Sequence, residues 1–180
     1  MDDISSTDRA PAPPLRHRAG LLLALALCTI VGPACSSDPE DGTAPVPTAT
    51  LIDLSTEAPA DWDADGRPLV INLWASWCAP CRKEMPAFDK VAERLGDEVA
   101  IVGVTDETDL DAARSAAADT GVRYPLLVDV DQTLLVDLDV SGLPGTVFID
   151  DKGQIVGRHL GALTEDELLT EIEERFGITV

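Results

Sequence analysis

Two cysteines separated by two residues, Cys78-Ala79-Pro80-Cys81, stand where a strand-like stretch gives way to a helix-like one, and that junction limits the folds open to the chain. Upstream, Leu69-Val70-Ile71-Asn72-Leu73-Trp74 is an apolar run of strand length, the pattern of a strand buried on both faces. Downstream, Met85, Phe88, Val91, Ala92 and Leu95 recur at helical spacing, which predicts a helix over 80–95. Pro80 suits its first turn, Pro86 is expected to kink it, and Gly96 is a natural stop. A helix N-terminus offers partial positive charge and unpaired N–H groups, which stabilise a thiolate. The thiolate is the form that attacks a disulfide, so Cys78 and Cys81 read as a redox pair.

The rest of the globular pattern alternates strands and helices. Residues 51–54 read as a short edge strand, 99–104 and 125–128 as further strands, and 132–138 as a short helix. A helix is expected from Thr108, with Asp111 at capping-box spacing, to Gly121. Residues 146–149 and 154–158 flank Asp150-Asp151-Lys152-Gly153 and read as a hairpin. Thr164 and Glu167 form a capping box for a last helix carrying Leu168, Leu169, Ile172 and Phe176 on one face. This order implies an α/β sandwich with a mixed sheet.

The N-terminal part has another character. Arg16-His17-Arg18 precedes an apolar run over 21–31, the charged and apolar regions of a secretory signal. The run is short for a membrane span of about 20 residues. Gly32-Pro33-Ala34-Cys35 and its polar tail resemble the lipobox of bacterial lipoproteins, although Gly32 stands where that motif usually has Leu. The resemblance implies a signal peptide over 1–34 and lipidation of Cys35; a plain cleaved signal and an uncleaved anchor are the alternatives. Residues 35–50, rich in Ser, Pro, Thr and Asp, are expected to be the anchor and a flexible tether, and 51–180 the folded domain. Of four cysteines, Cys28 would be discarded with the signal and Cys35 would carry lipid. Cys78 and Cys81 then have only each other, or another molecule, as disulfide partners. The net charge of −20, from 33 Asp+Glu against 13 Lys+Arg, argues against nucleic acid and against anionic lipid as a docking surface.

The segment from Val70 through Trp77-Cys78-Ala79-Pro80-Cys81 to Glu84-Met85-Pro86 resembles the active-site stretch of the TlpA/ResA branch of thioredoxin-like proteins. Gly142-Leu143-Pro144-Gly145-Thr146 resembles that family's cis-proline segment. The resemblance covers 51–180. It implies a thioredoxin-like fold, a mixed central β-sheet flanked by helices, with an inserted helix–strand unit at 108–129. It also implies an extracytoplasmic thiol:disulfide oxidoreductase held at the outer face of the cytoplasmic membrane, or secreted. Two positions depart from the pattern. Gly145 stands where the family usually has Thr or Ser, which is expected to loosen contacts with a bound polypeptide, and Asn72 stands where cytosolic thioredoxins carry a buried Asp.

Roles follow. Cys78 is the expected nucleophile, the more exposed thiol and the nearer to the helix start; Cys81 is expected to resolve the mixed disulfide. Glu84, one turn past Cys81, would shuttle a proton if burial raises its pKa, and is otherwise a surface residue. Trp77 is expected to shield the disulfide and join a docking surface, while Trp74 belongs to the core. The resemblance makes Pro144 cis and packed on the sulfurs, presenting the backbone of Leu143 to a substrate strand. Ala79 and Pro80 tune the potential, and His159 is a surface or packing residue. No metal and no cofactor is called for; zinc would need four ligands. On resemblance alone the protein is a reductant, for example in cytochrome c maturation, served by a membrane thiol-transfer electron donor and working as a monomer on protein thiols and disulfides. An oxidant of secreted proteins, a peroxiredoxin-like peroxidase and a Sco-like copper chaperone remain as alternatives.

Overall fold

The computed structural model describes residues 44–62 and 64–179. The expected signal segment over 1–34, with Cys28, and the expected lipid site Cys35 lie outside the described residues. The strands are β1 (Ala44–Pro45), β2 (Leu51–Asp53), β3 (Pro59–Ala60), β4 (Leu69–Leu73), β5 (Ala100–Thr105), β6 (Leu126–Asp129), β7 (Gly145–Ile149) and β8 (Gln154–Leu160). The helices are α1 (Ala79–Leu95), α2 (Leu110–Thr120), α3 (Leu134–Asp137) and α4 (Glu165–Phe176). One mixed sheet runs in the order β1-β8-β7-β4-β5-β6-β2-β3. Its β4-β5 and β5-β6 pairs are parallel, as crossover helices require, and its other pairs are antiparallel.

The apolar run of β4 is explained by cover on both sides, every residue being buried. Alternation divides it. Leu69, Ile71 and Leu73 join Leu134 and Leu138 in one cluster. Val70 joins Phe88 and Val91 of α1 and Leu168 and Ile172 of α4 in another. Each such fully buried side chain contributes about 1.5–3 kcal/mol. The Thr164 capping box forms, its hydroxyl accepting from the Glu167 N–H at 3.3 Å and Glu167 Oε2 accepting from the Thr164 N–H at 2.9 Å. The hairpin turn is held by Asp150 Oδ1, which accepts from the N–H groups of Lys152 and Gln154.

Three details differ from expectation. The α2 cap is Asp109, not Thr108; its carboxylate accepts from the Ala112 N–H, and a negative charge suits that helix end. Residues 51–53 are not at the sheet edge, because β3 pairs outside them. Of the expected tether, residues 44–45 pair with β8, and Val46 and Ala49 pack on the core. The helix–strand unit α2–β6 extends the sheet beyond β5, and α3 then leads to the loop before β7. Among the described residues, no helix is long and apolar enough to cross a membrane.

Candidate active site

At the C-terminal end of β4 the chain passes through a tight loop into α1. The Trp74 N–H donates to Val104 O at 3.0 Å, continuing the parallel ladder, and the Cys78 N–H donates to Ala75 O at 3.1 Å. Cys78 is the N-cap of α1, and its sulfur accepts from the Cys81 N–H at 3.3 Å. The pair is joined as a disulfide. Cys78 is 4% exposed and Cys81 fully buried, so the expected exposed thiol is largely covered and the residual access to the pair is at Cys78. Ala79 and Pro80 are exposed in the first turn, and no acidic side chain sits there to oppose a thiolate. Trp77 stands 72% exposed beside the pair, while Trp74 is buried.

Glu107 holds the loop from the neighbouring strand. Its carboxylate accepts from the Ser76 N–H and the Ser76 hydroxyl, both at 2.6 Å. The sequence reading missed this residue. No local sequence pattern marks it; the parallel register of Leu73 with Val104 brings the residues after β5 beside those after β4.

Glu84 lies one turn past Cys81 on the buried face of α1, only 3% exposed. Burial pushes its carboxyl up to about 7, against two donors that favour the charged form. These are the Leu163 N–H at 2.9 Å and Asn72 Nδ2 at 2.7 Å. Asn72 Oδ1 in turn accepts from the Tyr124 hydroxyl at 3.0 Å. A surface cleft of about 400 Å³ between α1 and residues 162–165 has Glu84 in its lining, with Lys83, Lys90 and Glu165 at its walls. The carboxyl can therefore trade protons with solvent on one side while it sits in the buried layer that holds Cys81.

The Leu143–Pro144 bond is cis. Pro144 is buried, its carbonyl accepting from the Gly161 N–H at 2.9 Å. Leu143 is half-buried against the cluster that contains both cysteines. Gly145 is buried too, and a Cβ there would collide with Val140 Cγ1, so packing beneath the loop accounts for the missing side chain. Leu160, opposite Gly145 in the β7–β8 ladder, is 61% exposed at this same end of the sheet, a second apolar surface residue that the sequence did not single out. His159 Nδ1 faces Glu171 at 3.6 Å. Among the described residues, no group of three potential metal ligands forms.

Comparison with known proteins agrees with this geometry. A family model described as Redoxin matches residues 41–173. The thioredoxin-like protein YneN of Bacillus subtilis is 35% identical over 130 residues, 71% of this chain and 76% of its own. The thiol-disulfide oxidoreductase ResA of Bacillus anthracis is 29% identical over 124 residues, 68% of this chain and 71% of its own. A secreted Mycobacterium tuberculosis disulfide oxidoreductase homologous to Escherichia coli DsbE superposes with a TM-score of 0.59 at 29% identity, covering 69% of this chain and 94% of that one. A redox dithiol at a helix start, a cis-proline loop beside it and these relatives together identify the chain as a member of the redoxin family, a thioredoxin-like thiol:disulfide oxidoreductase of the ResA/DsbE type.

Proposed function

We propose that the protein is an extracytoplasmic reductant of protein disulfides, held at the membrane through lipid on Cys35 and recharged by a membrane dithiol donor, with cytochrome c maturation as a fitting setting. The observation that supports the exchange chemistry is the buried carboxyl of Glu84, with a pKa near neutrality, one turn past the resolving thiol; the reducing direction, the lipid and the donor rest on the resemblance to the TlpA/ResA branch. In the reduced protein the Cys78 thiolate, at the N-cap of α1, attacks a client disulfide. The client S–S bond breaks, a Cys78–client bond forms, and the leaving client thiolate takes a proton from solvent. Cys81 then gives its proton to the Glu84 carboxylate and attacks the Cys78 sulfur. The second client sulfur leaves and is protonated, the client has gained two electrons, and Cys78–Cys81 is the disulfide the structure holds. Trp77 and the Leu143–Pro144 backbone flank the pair as the docking surface for an extended client segment, and Ala79 and Pro80 set the potential through the shape of the first turn. The protein works as a monomer.

Cys78→Ser should abolish insulin disulfide reduction, and Cys81→Ser should accumulate a mixed disulfide visible by mass. Full multiple turnover by Cys81→Ser would reverse the order of attack. The direction of electron flow is tested by equilibrating Cys78/Cys81 with glutathione. A strongly negative potential supports the reductant, whereas one above about −180 mV, the isomerase range, would make the protein an oxidant.

A further inference from the structure

The polar unit under α1 contains one member that the sulfur chemistry does not use. Tyr124 precedes β6, is 6% exposed, and reaches Asn72 Oδ1 with its hydroxyl. Its ring crosses β5 to do so. Gly103 is the residue paired with Asn72 on β5, and a Cβ there would sit 3.1 Å from Tyr124 Cε2 and 2.6 Å from Leu126 Cδ2. A glycine inside a strand weakens it, and its value here is the passage it leaves for the ring. The segment is pinned from the far side by Asp89 of α1, whose Oδ1 accepts from the N–H groups of Arg123 and Tyr124 at 2.7 and 3.2 Å.

An asparagine amide can face a carboxylate with its NH₂ or its oxygen, and the two choices have opposite consequences. The NH₂ favours the charged carboxylate, while the oxygen can be satisfied only by a protonated one. We propose that Tyr124 is a positioning residue: by donating its hydroxyl to Asn72 Oδ1 it fixes the amide so that Nδ2 faces Glu84. The proposal rests on the reading of Glu84 as the proton acceptor for Cys81. Tyr124 is suited to the task because it remains a donor; burial first, and then the charges of Glu84 and Asp89, hold its phenol well above 10. The other groups that bear on Glu84 are Cys81, Lys83 and Lys90 on α1 and Glu165 at the start of α4. Lys90 and Glu165 face each other at 3.2 Å, and the Leu163 N–H donates to Glu84 from fixed backbone, so the Asn72 amide is the contact whose polarity can reverse.

The test is a carboxyl titration in the oxidised full chain, where neither cysteine of the pair titrates. With ¹³C-carboxyl glutamate, Glu84→Gln identifies the resonance. Tyr124→Phe should raise the Glu84 midpoint by about one pH unit, a tenfold loss of carboxylate above the midpoint. In an Asn72→Leu background the same substitution should do nothing further, because the effect passes through the amide. Tyr124 is the one tyrosine in the sequence, so growth on 3-fluorotyrosine changes this hydroxyl alone and leaves the fold intact. The more acidic phenol polarises the amide more strongly and should move the midpoint down. An unmoved midpoint with both Tyr124→Phe and fluorotyrosine overturns the positioning role. The parent reading fails separately, if Glu84→Gln leaves the pH dependence of Cys81 attack unchanged while the carboxyl still responds to Tyr124.

Discussion

The two faces of β4 are built from neighbouring residues and do different work. One presents Leu69, Ile71 and Leu73 to an apolar cluster closed by Leu134 and Leu138. The other begins the same way, with Val70 against α1 and α4, but then places Asn72 where it must be hydrogen-bonded to Glu84 and Tyr124. A buried carboxyl is costly, and stability alone favours an apolar replacement. The proposed proton transfer from Cys81 to Glu84, which lies on the helix capped by Cys78, gives the second face its part in the chemistry. The first face supplies stiffness, so that the sulfurs and the polar unit hold their spacing.

The sharpest way to separate the faces is to damage each alone. Ile71→Ala empties a fully buried site on the apolar face and should cost about 2–5 kcal/mol in urea unfolding. It should leave the Glu84 titration midpoint within a few tenths of a unit. A midpoint that moves with the cavity would mean that the two faces are mechanically coupled and do not act separately.

Glu84→Gln should do the reverse. The folded carboxyl titrates at about 7 against an ordinary 4.5, so the native state binds more protons than the unfolded chain between those values. The contribution of this group to stability is therefore fully present below 4.5 and is lost as pH rises through 7, by roughly 3 kcal/mol in total. Glutamine removes this slope. Its gain above pH 7 should be smaller than that figure, because one carbonyl oxygen replaces two acceptors facing the Asn72 amide and the Leu163 N–H. Urea midpoints at pH 5 and pH 8 measure both effects. A slope that survives in Glu84→Gln would assign the pH dependence to another group.

The frame of the site was legible wherever the cause was local. The apolar run of β4, the periodicity of α1, the Thr164–Glu167 cap and the Asp150 turn are each decided by residues within a few positions of one another. The two-residue strands β1 and β3 were not, because each contains a proline and exists only through its partner strand. Between Thr108 and Asp109, two good capping residues, composition does not choose. The polar unit was half legible. Glu84 has the right spacing from Cys81, but its raised pKa comes from burial under distant segments, and its partners are set at long range: a backbone N–H 79 residues away donates to it, and Tyr124 reaches Asn72 across 52. Helical spacing carries no information about contacts at that range.

Glu107 offers the mildest test, since it acts on the loop rather than on either face of β4. Two of its bonds go to Ser76 from separate carboxylate oxygens. Glu107→Gln keeps the length and shape but turns one of those oxygens into a donor, which must meet either the Ser76 N–H or its hydroxyl. The hydroxyl can rotate to accept, so the loss should be limited to about 1 kcal/mol of stability. The loop also carries the Ala75 carbonyl that holds the Cys78 N–H, and loosening it should lower the rate of insulin reduction several-fold. The Glu84 midpoint should stay where it is, because no bond of Glu107 reaches the polar unit. A shifted midpoint would show that the cysteine loop and the buried carboxyl move together as one unit.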